Sequence, residues 1–194
     1  MATPQAIAAT GQAILGLLEA ACPKDDFPAA QFQPYQLGNF GSPMDEGVSL
    51  YLYRVAVNGA RRNLPPTVGP KGERYRPAIP LDLHYILSVW AKDPVKQQRL
   101  LGWAIRTLED VPILPAGSLN NYGPEPDIFK PSETVEVILE SLSLQDWNNL
   151  WGASKIKPPS LSVGYVARMV ALESSLALFE VSVQTRDLGF GKVQ

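Results

Sequence analysis

A chain of 194 residues, 45% of them hydrophobic, is long enough to bury about 70% of its unfolded surface in one core without help from metals or disulfides. Its 17 basic and 19 acidic side chains leave a net charge of -2, which excludes a whole-surface electrostatic grip on nucleic acid or anionic lipid and confines any such contact to a local patch. The single cysteine, Cys22, excludes an internal disulfide framework and a cysteine-built metal cluster; with no leader-like or membrane-spanning apolar run, the expectation is a soluble, cytoplasmic protein with no direct membrane insertion.

Thr3 and Pro4 form a helix-opening pair, a capping hydroxyl followed by a residue whose missing N–H costs nothing in the first turn. Ile7, Ile14, Leu15 and Leu18 share a face until Pro23 intervenes, so a core-packing helix is expected over residues 4–21. Cys22 at its end reads as a small buried side chain rather than a reactive thiol. Residues 27–47 are rich in Pro, Gln and Gly, and within them 35–40 offers a short edge strand. Residues 48–57, VSLYLYRVAV, are apolar at both parities: Val48, Leu50 and Leu52 alternate with Tyr51, Tyr53, Val55 and Val57. That predicts a strand covered on both faces.

Residues 58–77, NGARRNLPPTVGPKGERYRP, carry Gly, Pro and charge but no period, and structureless loops of this length are usually functional or disordered. Arg61, Arg62, Lys71, Arg74 and Arg76 stand against Glu73, a local +4 that leaves -6 for the rest of the chain. This segregation makes the five basic residues the candidate partner-facing set; a merely solvated hairpin tip would account for them equally well. Residues 77–91 follow, PAIPLDLHYILSVWA, with Ile79, Leu81, Leu83, Tyr85, Leu87 and Val89 at odd positions and Asp82, His84 and Ser88 between them. The two-residue period predicts a long central strand reaching about 40 Å, about twice the usual length, with one end projecting or bent at a bulge.

Asp93 and Pro94 repeat the cap-and-proline opening, and Leu101, Ala104, Leu108 and Val111 continue one helical face to Pro112. Residues 113–132 read as loop. A strand with a wetter outer face is expected over 134–142, where Val135, Val137 and Leu139 alternate with Glu136, Ile138 and Glu140. Ser143 and Asp146 resemble a capping box ahead of a short helix with Leu144, Trp147, Leu150 and Trp151 on one face, and its two tryptophans read as core rather than as a ligand platform. Residues 161–172 form another strand, with Val163, Tyr165, Ala167, Met169 and Ala171 on one face and Val166, Val170 and Leu172 on the other. Residues 177–185, ALFEVSVQT, oppose Phe179, Val181 and Val183 to Glu180, Ser182 and Gln184 after the core looks complete. Such a strand can pair with a neighbour's sheet edge.

Catalytic chemistry finds no support. No strand leads into a nucleotide-binding glycine loop, and no nucleophile elbow is present. His84 and Asp82 share a strand face, but a serine with a turn to present it is lacking, and two ligands fall short of a zinc site. No cofactor or metal is expected. The fold class that follows is α/β in the α+β sense: a mixed, mostly antiparallel sheet of about four to six strands with helices packed against it.

Several stretches resemble a known family: GVSLYLYRVAVNGARRN, then RPAIPLDLHYILSVWAKDPVKQQRLLGWAIRTLEDVPILP, SLQDWNNLWGA and LSVGYVARMVALES. They are similar to the N-terminal domain of the cap or terminator proteins of extracellular contractile injection systems, phage-tail-like particles of the anti-feeding-prophage type. The resemblance covers residues 10–174. It implies a non-enzymatic role, with several copies, six by analogy, forming a ring on the inner tube and sheath and ending their growth. On this basis residues 1–174 are the terminator domain and 175–194 a strand-like extension; longer members carry a sizeable C-terminal portion where only about 20 residues follow here. An ordinary phage tail terminator would share the ring. A nucleic-acid adaptor is the alternative of a different class, using the basic segment with Tyr75 to stack a base.

Overall fold

The alternation centred on Leu83 organises the computed structural model, which describes residues 5–61, 63–69, 71–123, 125, 127–152, 158–159 and 161–178. Strand β5 (Ile79–Trp90) lies inside a six-stranded sheet. On one side it pairs antiparallel with β2 (Gly47–Val57), which in turn pairs parallel with β1 (Gln31–Tyr35). On the other side stand β8 (Ser162–Leu172), β7 (Thr134–Glu140) and β6 (Ile113–Pro115), all antiparallel to their neighbours. The mixed, mostly antiparallel sheet and its packed helices are those the sequence implies.

From Leu81 onward the odd positions of β5 (Leu81, Leu83, Tyr85, Leu87 and Val89) are buried in the main core, while Ile79 at its start is exposed. Over them lie α1 (Ala6–Ala21), through Ala13, Ile14 and Leu18, and α2 (Pro94–Asp110), through Leu100, Ala104 and Leu108. Each such leucine contributes about 1.5–3 kcal/mol by leaving water, so this face carries most of the fold's stability. Asp93 caps α2 as expected, its Oδ1 accepting the Lys96 N–H at 2.7 Å; the Thr3 cap expected for α1 lies outside the described residues.

The opposite face splits in two. Near Trp90 it is closed by aromatic rings: Tyr35, Phe40 and Trp151 are buried, with Tyr51, Trp90 and Trp147 packed around them. Phe40 and Trp151 meet edge to face with centroids 4.9 Å apart, a geometry worth about 0.5–1.5 kcal/mol beyond area burial. Trp147 and Trp151 come from α4 (Leu144–Gly152), opened by Ser143, whose Oγ accepts the Asp146 N–H at 3.1 Å. Towards Asp82 and His84 the same face is polar.

Four local expectations need correction. The edge strand is at residues 31–35, and 37–41 is a turn of 3-10 helix that delivers Phe40 to the aromatic cluster. Gly47 makes the parallel pairing possible: its φ is +143°, and a Cβ there would fall 2.0 Å from the Gln31 carbonyl oxygen. The segment 113–132 holds β6 and α3 (Ala116–Asn121), with Leu114, Leu119, Ile128 and Phe129 buried. Asn120 ties it together, donating to the Phe129 carbonyl at 2.9 Å and accepting its N–H at 2.8 Å.

Finally, two bulges change which side chains share a face. Between Leu52 and Arg54 the register of β2 slips against β5, so Val55 and Val57 oppose Leu83 and Leu81 on the α1 side instead of joining Tyr51. They are 45% and 52% exposed, so only the first half of β2 is covered on both faces. In β8 the register slips between Leu81 and Leu83 of its partner, which puts buried Val170 rather than Met169 on the Tyr165 side. Of the two outcomes expected for the long strand β5, it carries no projecting end, β8 pairing with 79–88 and β2 with 81–90, but it does meet a bulge, where the register with β8 slips between Leu81 and Leu83.

Candidate interface site at the basic hairpin

The basic segment is riveted to the sheet by a buried side-chain amide. Asn58, 2% exposed, follows β2, and its N–H donates to the Pro80 carbonyl at 2.9 Å. Its Oδ1 accepts the N–H groups of Ala60 and Arg61 at 3.0 and 3.2 Å, folding the chain back in an Asx-type turn. Its Nδ2 reaches both carboxylate oxygens of Asp82 at 3.0 Å. Asp82 Oδ1 also accepts the Met169 N–H at 3.2 Å. Met169 sits in the β8 bulge with φ +67°, a left-handed backbone costing about 1–2 kcal/mol in a residue with a Cβ. The charge-assisted bond from Asp82 offsets part of that cost. One amide and one carboxylate therefore join the root of the basic segment, the centre of the sheet and the bulge.

Beyond this root the segment has structure that its lack of period hid. β3 (Thr67–Val68) and β4 (Arg74–Tyr75) pair antiparallel. The turn between them is closed by Gly69 N–H to the Glu73 carbonyl at 2.8 Å and Gly72 N–H to the Gly69 carbonyl at 3.0 Å, with Gly72 at φ +84°. Glu73 turns its Oε2 onto the Lys71 N–H at 3.1 Å. A third stretch then joins: Arg76 N–H donates to the Leu176 carbonyl at 3.0 Å, Leu178 N–H to the Arg74 carbonyl at 2.7 Å, and Tyr75 bridges Ala177. Residues 176–178, where the expected C-terminal strand would begin, are thus bonded within their own chain.

Of the expected partner-facing residues, Lys71, Arg74 and Arg76 are exposed on this small sheet. Arg61 stands at its root, lining an open cleft of about 480 Å³ with Asn58, Glu133, Glu136 and Arg168. The Arg168 guanidinium lies 3.7 Å from Glu136. Arg62, Phe179, Val181 and Val183 fall outside the described residues. Tyr75, considered as a base-stacking platform, is half-buried, with its ring edge over Gly69. Asn58 and Arg168 were not singled out by the sequence, although the Asn58-Gly59 pair is a turn signal that could have flagged the first.

His84 does not pair with Asp82, which Asn58 and Met169 occupy. Its Nδ1 is 3.0 and 2.9 Å from the two Glu140 oxygens, and Tyr53 Oη donates to Glu140 Oε2 at 3.1 Å. Burial first, then the Glu140 charge and hydrogen bond, push the Tyr53 phenol up to about 12. This is a carboxylate held by two neighbours across β2, β5 and β7, a cross-strand clamp. Among the described residues no group of three or more His, Cys, Asp or Glu side chains is arranged to hold a metal ion, and no helix is long and apolar enough to cross a membrane.

Comparison with known proteins bears on this fold directly. Residues 9–185 match the model of the Pvc16 N-terminal domain. No curated protein matches the sequence. The fold is shared with a sheath/tube terminator of the PVC extracellular contractile injection system in its extended state, at 15% identity and TM-score 0.61, over 96% of this chain and 63% of that one. It is shared also with the tube-terminating cap of the anti-feeding prophage, at 12% identity and TM-score 0.61, over 93% of this chain and 60% of the other. The chain therefore spans less than two thirds of the length of either.

Proposed function

The chain belongs to the Pvc16 N-terminal domain family, and from that premise we propose that it is a structural terminator subunit, one that closes the end of the inner tube and sheath of a contractile, phage-tail-like particle. The observation that carries this is the shared fold over 96% of the chain with a sheath/tube terminator, joined to a family match running from residue 9 to residue 185. Copies of the chain, six by analogy, form a ring in which one face of each meets a different face of the next, burying about 800 Å² per partner. The ring is assembled with the particle in the cytoplasm and stays with it, whether the particle is released or held at a membrane.

Within that role the hairpin basic residues face acidic groups on the tube or sheath end. Exposed ion pairs contribute about 0–1 kcal/mol each, so one hairpin registers the ring and the copy number supplies the avidity. The Asn58–Asp82 rivet suits this, because a fixed root presents Arg61 in one orientation. Residues 1–174 supply the block and 175–194 the extension, whose first residues, 176–178, bond to β4. A purely structural block needs no cofactor and turns nothing over.

Reversing Arg61 and Arg62 to Glu in assembled particles tests the hairpin contact by negative-stain imaging. Tubes of uncontrolled length or without caps are expected; capped particles of normal length overturn the contact. Particles lacking this subunit altogether that still end normally overturn the terminator role.

A further inference from the structure

Among the described residues the sheet has an open edge, along the second half of β2. β1 covers β2 only over residues 47–51, and among the described residues no strand or bridge lies along 52–57 on the side away from β5. The backbone phase there is fixed. Asn58 N–H donates to the Pro80 carbonyl, so 58 and 80 are a hydrogen-bonded pair, and by antiparallel alternation 57/81 and 55/83 are not. The N–H and C=O groups of Val55 and Val57 therefore point outward to the open side. Their side chains are 45% and 52% exposed, and the bulge has turned both onto the face of Leu50 and Leu52. That apolar row continues into a groove of about 400 Å³ lined by Ile7, Gly11, Pro34, Leu50, Leu52 and Tyr85. Exposed Arg54 lies on the opposite face, across from His84. An edge with free backbone groups, exposed valines and an adjoining apolar groove is a template for strand addition.

We propose that residues 179–185 of one copy add as a strand to this edge of β2 in the next copy. The inference rests on the ring described above and names the surfaces that join it. Three observations select this occupant. In sequence, Phe179, Val181 and Val183 alternate with Glu180, Ser182 and Gln184, so a paired strand lays its apolar set beside Leu52, Val55 and Val57 and turns Glu180 to the Arg54 face. In position, 176–178 is anchored on β4 after leaving β8, on one side of β5, while the open edge of β2 faces away on the other. Donor and acceptor on opposite flanks are what head-to-tail closure requires. In length, the seven residues after Leu178 extend about 23 Å, enough to run along the whole open edge.

Cysteine trapping in full-length chains carrying Cys22→Ala tests this. A chain with Val57→Cys is mixed with a chain carrying Phe179→Cys, Val181→Cys, Glu180→Cys or Ser182→Cys, and oxidised. Same-face Cβ atoms of adjacent strands lie about 4.5–5.5 Å apart, close enough for a disulfide bond after small adjustment. The apolar positions should cross-link between chains roughly tenfold more than the polar ones; equal trapping, or none, overturns the inference. A bond formed only within one chain, when both cysteines are placed in it, also overturns it, since the strand would then close its own edge.

Val57→Pro is the second measurement. It removes an outward N–H without touching the β5 ladder, the placement in which an edge strand tolerates proline. Its melting temperature should stay within a few degrees of the parent, while self-association weakens by roughly tenfold, about 1.4 kcal/mol. Unchanged association overturns the inference. If the parent caps particles while neither trapping nor Val57→Pro has an effect, the strand exchange is wrong and the terminator role stands. A parent found only as a monomer that never joins a particle removes the role itself.

Discussion

The two halves of β2 show what separates a structural residue from an available one in this fold. Over residues 47–51 the strand has β1 on one edge and β5 on the other, the α1 core beneath, and Phe40, Trp90 and Trp151 near its upper face. Over 52–57 one edge is open among the described residues, valines are exposed, and the upper face carries Tyr53, Arg54 and the polar clamp on Glu140. The composition of the two halves is nearly the same. A single bulge and the length of a neighbouring strand decide which half is core.

The largest effect that could break this contrast is expected at the closed half. Trp151→Ala removes the ring that Phe40 and Tyr51 pack against and should cost about 3–5 kcal/mol, read as a lower denaturant midpoint with unchanged slope. Val57→Ala at the open half should fall within about 0.5 kcal/mol of the parent. Comparable losses at both positions would mean that the open half contributes to the core on the same terms as the closed one.

Next in size is the rivet. Asn58→Ala deprives Asp82 of two of its three hydrogen bonds and frees the Ala60 and Arg61 amides. A loss of about 1–3 kcal/mol is expected, together with faster hydrogen exchange at Ala60 and Arg61. If the amides exchange no faster, the hairpin root is held by something other than Asn58, and the fixed presentation of Arg61 loses its basis.

How much of this is readable in the sequence follows from which forces are local. The strand β5, both long helices, β7 and the two tryptophans of α4 are legible because a two- or 3.6-residue period reports directly on one buried face. The bulges are not. A bulge leaves no mark in composition, and at Tyr53/Arg54 and Arg168/Met169 it inverts the facing of every residue beyond it, so simple alternation puts Val55, Val57 and Val170 on the wrong sides. Short elements such as β6 and α3 are held by tertiary contacts, Leu114 and Leu119 in the core and Asn120 on the Phe129 backbone, and a periodicity needs more residues than they have. At the candidate site the charge segregation is plain, while its anchor is hidden: Asn58 and Asp82 lie 24 positions apart and meet only when β2 and β5 pair.

The smallest effect sharpens the contrast on the upper face. Tyr53 is the bulge residue, and burial, then Glu140, raise its phenol to about 12 from the ordinary value near 10. The sign follows from proton linkage: the folded state holds this proton more tightly than the unfolded one, so the associated stability is fully present below pH 10 and is lost as pH rises through 12. Absorbance titration of the phenolates should show one step near 12, ahead of Tyr85 and Tyr165, which burial pushes higher still. Glu140→Gln removes the charge and keeps the burial, so the step should move down without reaching 10. A step that does not move would place the whole effect in desolvation and leave the clamp without an electrostatic part, making the open half of β2 polar on its upper face only by composition.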